Sequence, residues 1–270
     1  MASSSRPVKG MKRESTEEPN WLELPAELTA KILLKLGIIE ILTSARLVCP
    51  LWWKICKDPL MWRTIDLTNC LWWDSNYPHN ELVNCCLKAI ERSCGHLEDI
   101  SIKYFGNNQI LKCIAYSTSH LRRMRLLRCT AVSDKGLMKV VRMLPLLEEF
   151  EISFNSLSKN TLELIGQCCP LLKVFKFNIQ EKKTLKCDDE AYAIAKTMPE
   201  LRHLQLLGNR LTNDGLLAIL DGCPYIESLD LRACSNVDLS GSLGGRLCDQ
   251  IRDIYFPEDI SDEVLTYVDD

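Results

Sequence analysis

The chain has 270 residues, 46% hydrophobic and 26% charged, the balance of an ordinary soluble globular protein with enough apolar material for a substantial core. Its 33 Lys and Arg against 36 Asp and Glu leave a formal net charge of -3, so no global basic field draws nucleic acid. No window reaches the ~18 uninterrupted apolar residues of a membrane span, because Lys35 and Glu40 break up the best candidate.

Residues 1–19 are rich in Ser, Lys and Glu and lack the apolar centre of a secretory signal, so they read as a disordered tail on an intracellular protein. Thiols stay reduced there, and the 14 cysteines are expected as small buried hydrophobes. Residues 20–62 read as a small helical unit. Leu24-Pro25 opens a helix, Leu28, Ile32, Leu33 and Leu36 share one face, and Gly37 stops it. A second helix is expected over residues 41–49, with Pro50 breaking or kinking it. Trp52, Trp53 and Trp62 add large apolar area, and a unit this small needs a packed neighbour or a partner.

From residue 62 onward the pattern L-x-x-L-x-L recurs. It fits Trp62/Ile65/Leu67, Leu97/Ile100/Ile102, Leu121/Met124/Leu126, Leu147/Phe150/Ile152, Leu172/Phe175/Phe177, Leu201/Leu204/Leu206, Ile226/Leu229/Leu231 and, more weakly, Ile251/Ile254/Phe256. Successive starts lie 35, 24, 26, 25, 29, 25 and 25 residues apart, so only the first interval is long. The ninth slot is an independent check over the first seven units: it holds Cys70, Cys129, Asn155, Asn209 and Cys234, with Phe105 and Gln180 as departures. Amphipathic stretches such as 132–144 and 211–220 lie between strands, with Ser133 and Thr212 at N-cap positions. Pro145, Pro170, Pro199 and Pro224 stop the helices. The expectation is an α/β fold: eight units of a curved solenoid over residues 63–257, parallel strands on the concave face and helices outside, closed by an acidic tail or cap at 258–270.

In such an arc the third, fifth and seventh slots face outward. The candidate substrate surface is therefore Arg123, Arg125, Glu149, Glu151, Lys176, His203, Gln205, Asp230 and Tyr255. Arg123 and Arg125 stand beside Glu149 and Glu151, either as a charged recognition band or as a cross-strand ladder of self-satisfying pairs. Trp72 and Trp73, in the long first interval, suggest an inserted loop that packs over a junction or anchors a partner. Cys85-Cys86 and Cys168-Cys169 lack zinc-site spacing, and residues 241–246 are Gly-rich without being a phosphate loop, which predicts an irregular connection. No catalytic constellation, metal or cofactor is expected.

The repeat units, with Cys169-Pro170 and Cys223-Pro224 before their strands, resemble the cysteine-containing class of leucine-rich repeats over roughly residues 60–256. Upstream, Leu24-Pro25-Ala26-Glu27-Leu28, Ile32-Leu33, Val48-Cys49, Trp52 and Asp58-Pro59-Leu60-Met61-Trp62-Arg63 resemble an F-box, with Pro50 departing from the usual polar residue. The whole chain is similar to short plant F-box/LRR-repeat proteins of the protein 23-like type. The resemblance implies the substrate-recognition subunit of an SCF-type cullin-RING ubiquitin ligase, non-catalytic itself, in nucleus and/or cytoplasm. The F-box would dock a Skp-type adaptor, and through it cullin and RING subunits, while the repeats hold a protein substrate. It places adaptor contact on Leu24, Pro25, Leu28, Ile32, Leu33, Val48, Cys49, Trp52 and Trp62. A repeat scaffold acting outside any ligase remains the alternative.

Overall fold

The computed structural model describes residues 24–69, 78–155, 157–179 and 186–259. The N-terminal tail, Trp21, Cys70, Trp72, Trp73, Gln180 and all but the first two residues of the acidic C-terminal segment lie outside the described residues. Three short helices come first: α1 (Ala26–Leu33), α2 (Ile38–Thr43) and α3 (Pro50–Ile55), with 3-10 turns at Ala45–Leu47 and Pro59–Trp62. Eight strands follow: β1 (Thr64–Leu67), β2 (Asp99–Lys103), β3 (Arg123–Leu127), β4 (Glu149–Ser153), β5 (Val174–Asn178), β6 (His203–Gln205), β7 (Ser228–Asp230) and β8 (Asp253–Tyr255). They form one sheet in chain order, each parallel to the next. The helices between them are α4 (His79–Arg92), α5 (Asn108–Ser117), α6 (Asp134–Val141), α7 (Lys159–Cys168), α8 (Asp189–Thr197), α9 (Asn213–Gly222) and α10 (Ser242–Gln250). None of the described helices is long and apolar enough to cross a membrane.

The repeat register is the one the pattern predicts. Leu147, Phe150 and Ile152 are fully buried, as are Leu201 and Leu229, and one continuous core runs from Leu33 to Ile251. Phe150 and Phe175 stack across adjacent strands with ring centroids 6.0 Å apart.

Four helix expectations need correction. The second helix does not run over 41–49: α2 ends at Thr43, and Pro50 is the first residue of α3, a position where its missing N–H and fixed φ cost nothing. Cys49 caps α3, its Sγ accepting from the Trp52 amide at 3.5 Å. Gly37 does not stop α1, which ends at Leu33; it precedes α2 with an ordinary φ of -66°. The apolar residues of α1 do not share one buried face either. Thr29 and Leu33 point inward, whereas Leu28, Ile32 and Leu36 are exposed. Residues 241–246 are no irregular connection but the start of α10, fixed by Leu243 and Leu247 one turn apart in the core.

Two devices joining successive repeats were not anticipated. The eighth slot, just past each strand, is left-handed in Tyr104 (φ 73°), Arg128 (51°), Phe154 (59°), Gly208 (66°) and Ala233 (60°). In each case the amide of that residue donates to the seventh-slot carbonyl of the next unit, at Leu127, Ser153, Asn178, Arg232 and Pro257. A non-glycine residue pays roughly 1–2 kcal/mol for this conformation, and the bond it completes offsets about 1 kcal/mol. Glycine is required only at 208, where a Cβ would come 2.7 Å from the Ile179 carbonyl oxygen.

The second device links helix caps. Asn108 Oδ1 accepts from the Ser133 amide at 3.0 Å, Asp134 from Ser158 at 3.1 Å, Asp188 from Thr212 at 2.6 Å and Asn213 from Asp238 at 2.8 Å. The side chain opening one helix thus braces the cap of the next at Ser133, Ser158 and Thr212, and at Asp238 the loop leading into α10. Gly136 and Gly215 make room for it: a Cβ there would sit 2.0 Å from Asn108 Oδ1 or 2.3 Å from Asp188 Oδ1. This explains the Gly that follows three residues after each of the N-caps Ser133 and Thr212.

Cys56, Cys86, Cys129, Cys169, Cys223 and Cys234 are buried, while Cys94 and Cys248 are exposed. Thiols of the buried set reach back one repeat, Cys169 to the Leu144 carbonyl (3.5 Å), Cys223 to Met198 (3.4 Å) and Cys234 to Leu206 (2.9 Å). Burial pushes Cys129, Cys169, Cys223 and Cys234 up to about 12 from an ordinary 9.0.

Gly208→Ala should destabilise the fold by about 1–3 kcal/mol, read as a lower urea midpoint or a melting temperature several degrees down. Between pH 9.0 and about 12 the unfolded chain holds fewer thiol protons than the folded one. Stability is therefore intact below the unfolded value and is lost as pH rises toward the folded one. The urea midpoint should fall as pH is raised above 9.0, and more gently once Cys129, Cys169, Cys223 and Cys234 are changed to Ala.

Candidate protein-docking sites

The N-terminal helices share their core with the first repeat. Ile38, Ile39, Ile41 and Leu42 of α2 are all buried, and α2 packs on α4 and β1. Trp62 fills the leading apolar slot of the first unit and is 1% exposed. Its Nε1–H donates to the Cys56 carbonyl at 3.1 Å, Arg92 of α4 donates to the same oxygen at 3.1 Å, and the Arg92 guanidinium lies 5.5 Å from the indole centroid. The expected packed neighbour is thus the repeat array itself.

What remains outside is unusually apolar. Of the 14 exposed large hydrophobic residues among those described, eight fall between Leu28 and Leu60, including Leu28 (46% exposed), Ile32, Leu47 and Val48 (63%). Leu28 and Ile32 lie one turn apart on the outer face of α1. Pro25 is exposed, and Leu24, Cys49 and Trp52 are half-buried. Two residues expected at the adaptor contact are not on this surface: Leu33 and Trp62 are wholly inside. Leu33 lies on the inner stripe of α1, which packs on α3, and a tryptophan placed in the repeat register packs with the repeats.

On the concave face the expected rows form in register: Arg123 lies beside Glu149 and Val174 follows, while Arg125, Glu151, Lys176 and Gln205 line the fifth slot. The charges pair with one another. Arg123 turns back to Asp99 at 2.7 Å, a bond that also raises its pKa, and Arg125 reaches Glu149 at 3.5 Å and Glu151 at 3.9 Å. Lys176 approaches Glu151 at 3.9 Å. His203 and Tyr255 are exposed, and Arg232 stacks 5.1 Å from the Tyr255 ring centroid.

Asp230 is a correction. It is 6% exposed, and Arg232 occupies its carboxylate from Nε (2.9 Å) and Nη2 (2.7 Å), so it presents no free charge. The seventh slot does not uniformly face outward either: Ser153, Asn178 and Leu207 are buried. The first two form a polar ladder with half-buried Gln205, Asn178 donating to Ser153 Oγ (3.0 Å) and Gln205 to Asn178 Oδ1 (3.1 Å). The strand tops close inward there and need these bonds.

A row that the sequence reading missed occupies the second slot. It holds Arg63, Glu98, Arg122, Glu148, Lys173, Arg202, Glu227 and Arg252, a charge in every unit. Arg63 pairs with Glu98 at 2.7 Å, Lys173 with Glu148 at 3.8 Å, and Arg122–Glu148 and Arg202–Glu227 are hydrogen-bonded. Reading that slot down the aligned units would have found it. At the middle of the arc a wholly basic stretch, Arg122, Arg123 and Arg125, therefore lies beside a wholly acidic one, Glu148, Glu149 and Glu151.

An F-box-like family model matches residues 21–68, which span the three helices and β1. Across 96% of its length the chain is 48% identical to F-box protein SKIP19 of Arabidopsis thaliana, covering 83% of that protein. The chain belongs to the plant F-box/LRR-repeat family. F-box/LRR-repeat protein 23 of the same plant is 45% identical over 96% of this chain, which spans 58% of that longer relative. Among solved structures, the yeast Rad7 and Elc1 complex shares 18% identity with a TM-score of 0.48, over 63% of this chain and 44% of that one.

The F-box is thus welded to the first leucine-rich repeat by Trp62 and α2, and its outer apolar face is a separate surface. Trp62→Ala should cost about 3–5 kcal/mol and lower the melting temperature sharply. Leu28→Ala, at a half-exposed site, should shift it by less than about 1 kcal/mol. Thermal denaturation of the two variants side by side checks the assignment.

Proposed function

We propose that this F-box/LRR protein is the substrate-recognition subunit of an SCF-type cullin-RING ubiquitin ligase. The observation that carries the reading is the apolar outer face of the F-box, left exposed after its core has been closed against the repeats. A patch of this kind on an otherwise well-packed unit marks a protein partner. A Skp-type adaptor is the partner an F-box implies. In this reading Pro25, Leu28, Ile32 and Val48 make the contact, with Leu24, Cys49 and Trp52 at its edge. Leu33 and Trp62 hold the face in place from behind.

The repeats then hold the substrate. Arg123, Arg125, Glu149, Glu151, Lys176, His203 and Tyr255 present adjacent basic and acidic stretches, complementary to a protein surface of mixed charge. Each partly exposed pair on this face is worth only about 0–1 kcal/mol, so a substrate can exchange those partners for its own at little cost. Catalysis belongs to the assembled ligase, and this chain raises the local concentration of a substrate lysine near the ubiquitin donor.

Co-expression with a Skp-type adaptor tests the reading. Wild-type chain should co-purify as a stoichiometric complex. Leu28→Glu/Ile32→Glu should abolish the complex while leaving the melting temperature of the chain within a few degrees. A folded wild-type chain that ignores the adaptor would reject the ligase role and leave a repeat scaffold.

A further inference from the structure

The outer, helical side of the arc carries a second surface. Between α5 and α6 runs a groove floored by the buried Ala115 and Val140 and walled by Tyr116, 72% exposed, and Met143. Lys112, Lys135 and Lys139 also line it, and no acidic residue does. Lys112 lies with its ammonium 5.9 Å from the Tyr116 ring centroid. Among the described residues, none of these three lysines has a carboxylate within ion-pair distance.

Two other helix pairs on this side are bridged by ion pairs. α7 and α8 are bridged by Lys159–Asp189 (3.3 Å) and Lys196–Glu163 (3.4 Å), and α9 and α10 by Arg246–Asp221 (2.5 Å). Lys135 and Lys139 stand one turn apart on α6, a like-charge spacing that weakens a helix until an anion joins it. The groove therefore combines unmatched positive charge with an exposed aromatic ring and a flexible thioether.

We propose that this groove docks an acidic segment of a partner protein, its carboxylates on Lys112, Lys135 and Lys139 and one aromatic or aliphatic side chain between Tyr116 and Met143. The apolar walls favour a peptide over a bare polyanion, since nucleic acid would leave Met143 and Val140 without a matching group. The site lies on the helical side, away from the strand rows, and does not depend on the ligase reading.

The test uses the full chain and a short fluorescein-labelled peptide of Asp and Glu around a central Phe, read by fluorescence anisotropy. Saturable binding that weakens with salt is expected. Lys112→Glu/Lys135→Glu/Lys139→Glu should weaken it by about tenfold or more, as loss of several partly exposed charge pairs predicts. Tyr116→Ser should weaken it without altering the salt dependence. Lys196→Glu, on a neighbouring helix, should leave it unchanged. Because these side chains are exposed, all variants should melt with the wild type. Equal binding of the same peptide with Gly for Phe, or of single-stranded DNA, would overturn the proposal in favour of a generic polyanion patch. Indifference to the triple reversal would overturn it outright. Self-association that disappears in the triple variant would give the groove to a second copy and overturn it too.

Discussion

No repeat in this chain can complete its own strand. Each parallel strand carries backbone groups whose partners lie some 25 residues away on the next unit, and its inner side chains are covered only when that unit is in place. Everything else in the molecule follows from the need to satisfy that open edge repeatedly. The left-handed turn after the strand, the helix caps braced by the preceding helix opener and the thiols reaching back to a carbonyl all make the same nearest-neighbour link, at three different depths of the arc.

At the N-terminal end α2 and Trp62 cover the first repeat, so the F-box is also the array's cap. Among the described residues β8, three residues long like β6 and β7, has its Ile254 half-exposed where the counterparts in β2–β7 are covered. Capping with the F-box has a mechanical result. Rigid continuity from the exposed apolar face of the F-box into the strand rows fixes the direction in which the concave face points.

The architecture was legible because its signal is redundant: a three-position apolar pattern repeated eight times, checked by an independent polar slot. Strand register, helix-stopping prolines and the caps at Ser133 and Thr212 all followed from it. The F-box was legible as a unit but not in its helices, because Pro50 is compatible with both a break and a beginning, and only the packing of Trp52 and Cys49 decides. Leu33 and Trp62 were misplaced for a related reason. A motif tells which residues are apolar, and the neighbouring repeat decides which of them are covered. Asp230 was misread because its slot faces outward while its partner, Arg232, sits two residues along the same chain. The second-slot charges went unseen because apolar periodicity, the guide to the fold, is blind to them.

The left-handed residue accompanies the bond to the next unit's carbonyl at Tyr104, Arg128, Phe154, Gly208 and Ala233, whereas Ile179 makes the same bond, to Leu207, without a positive φ. The bond to the next unit is thus kept with side chains as different as Tyr, Arg, Phe, Ile and Ala along that rim of the arc, and only Gly208 is fixed by a close backbone approach. A chain built this way can change the chemistry of the rim one residue at a time with the register unaltered. New specificities are accessible by single substitutions at Tyr104, Arg128, Phe154 and Ala233, where the bond to the next repeat is made by the backbone.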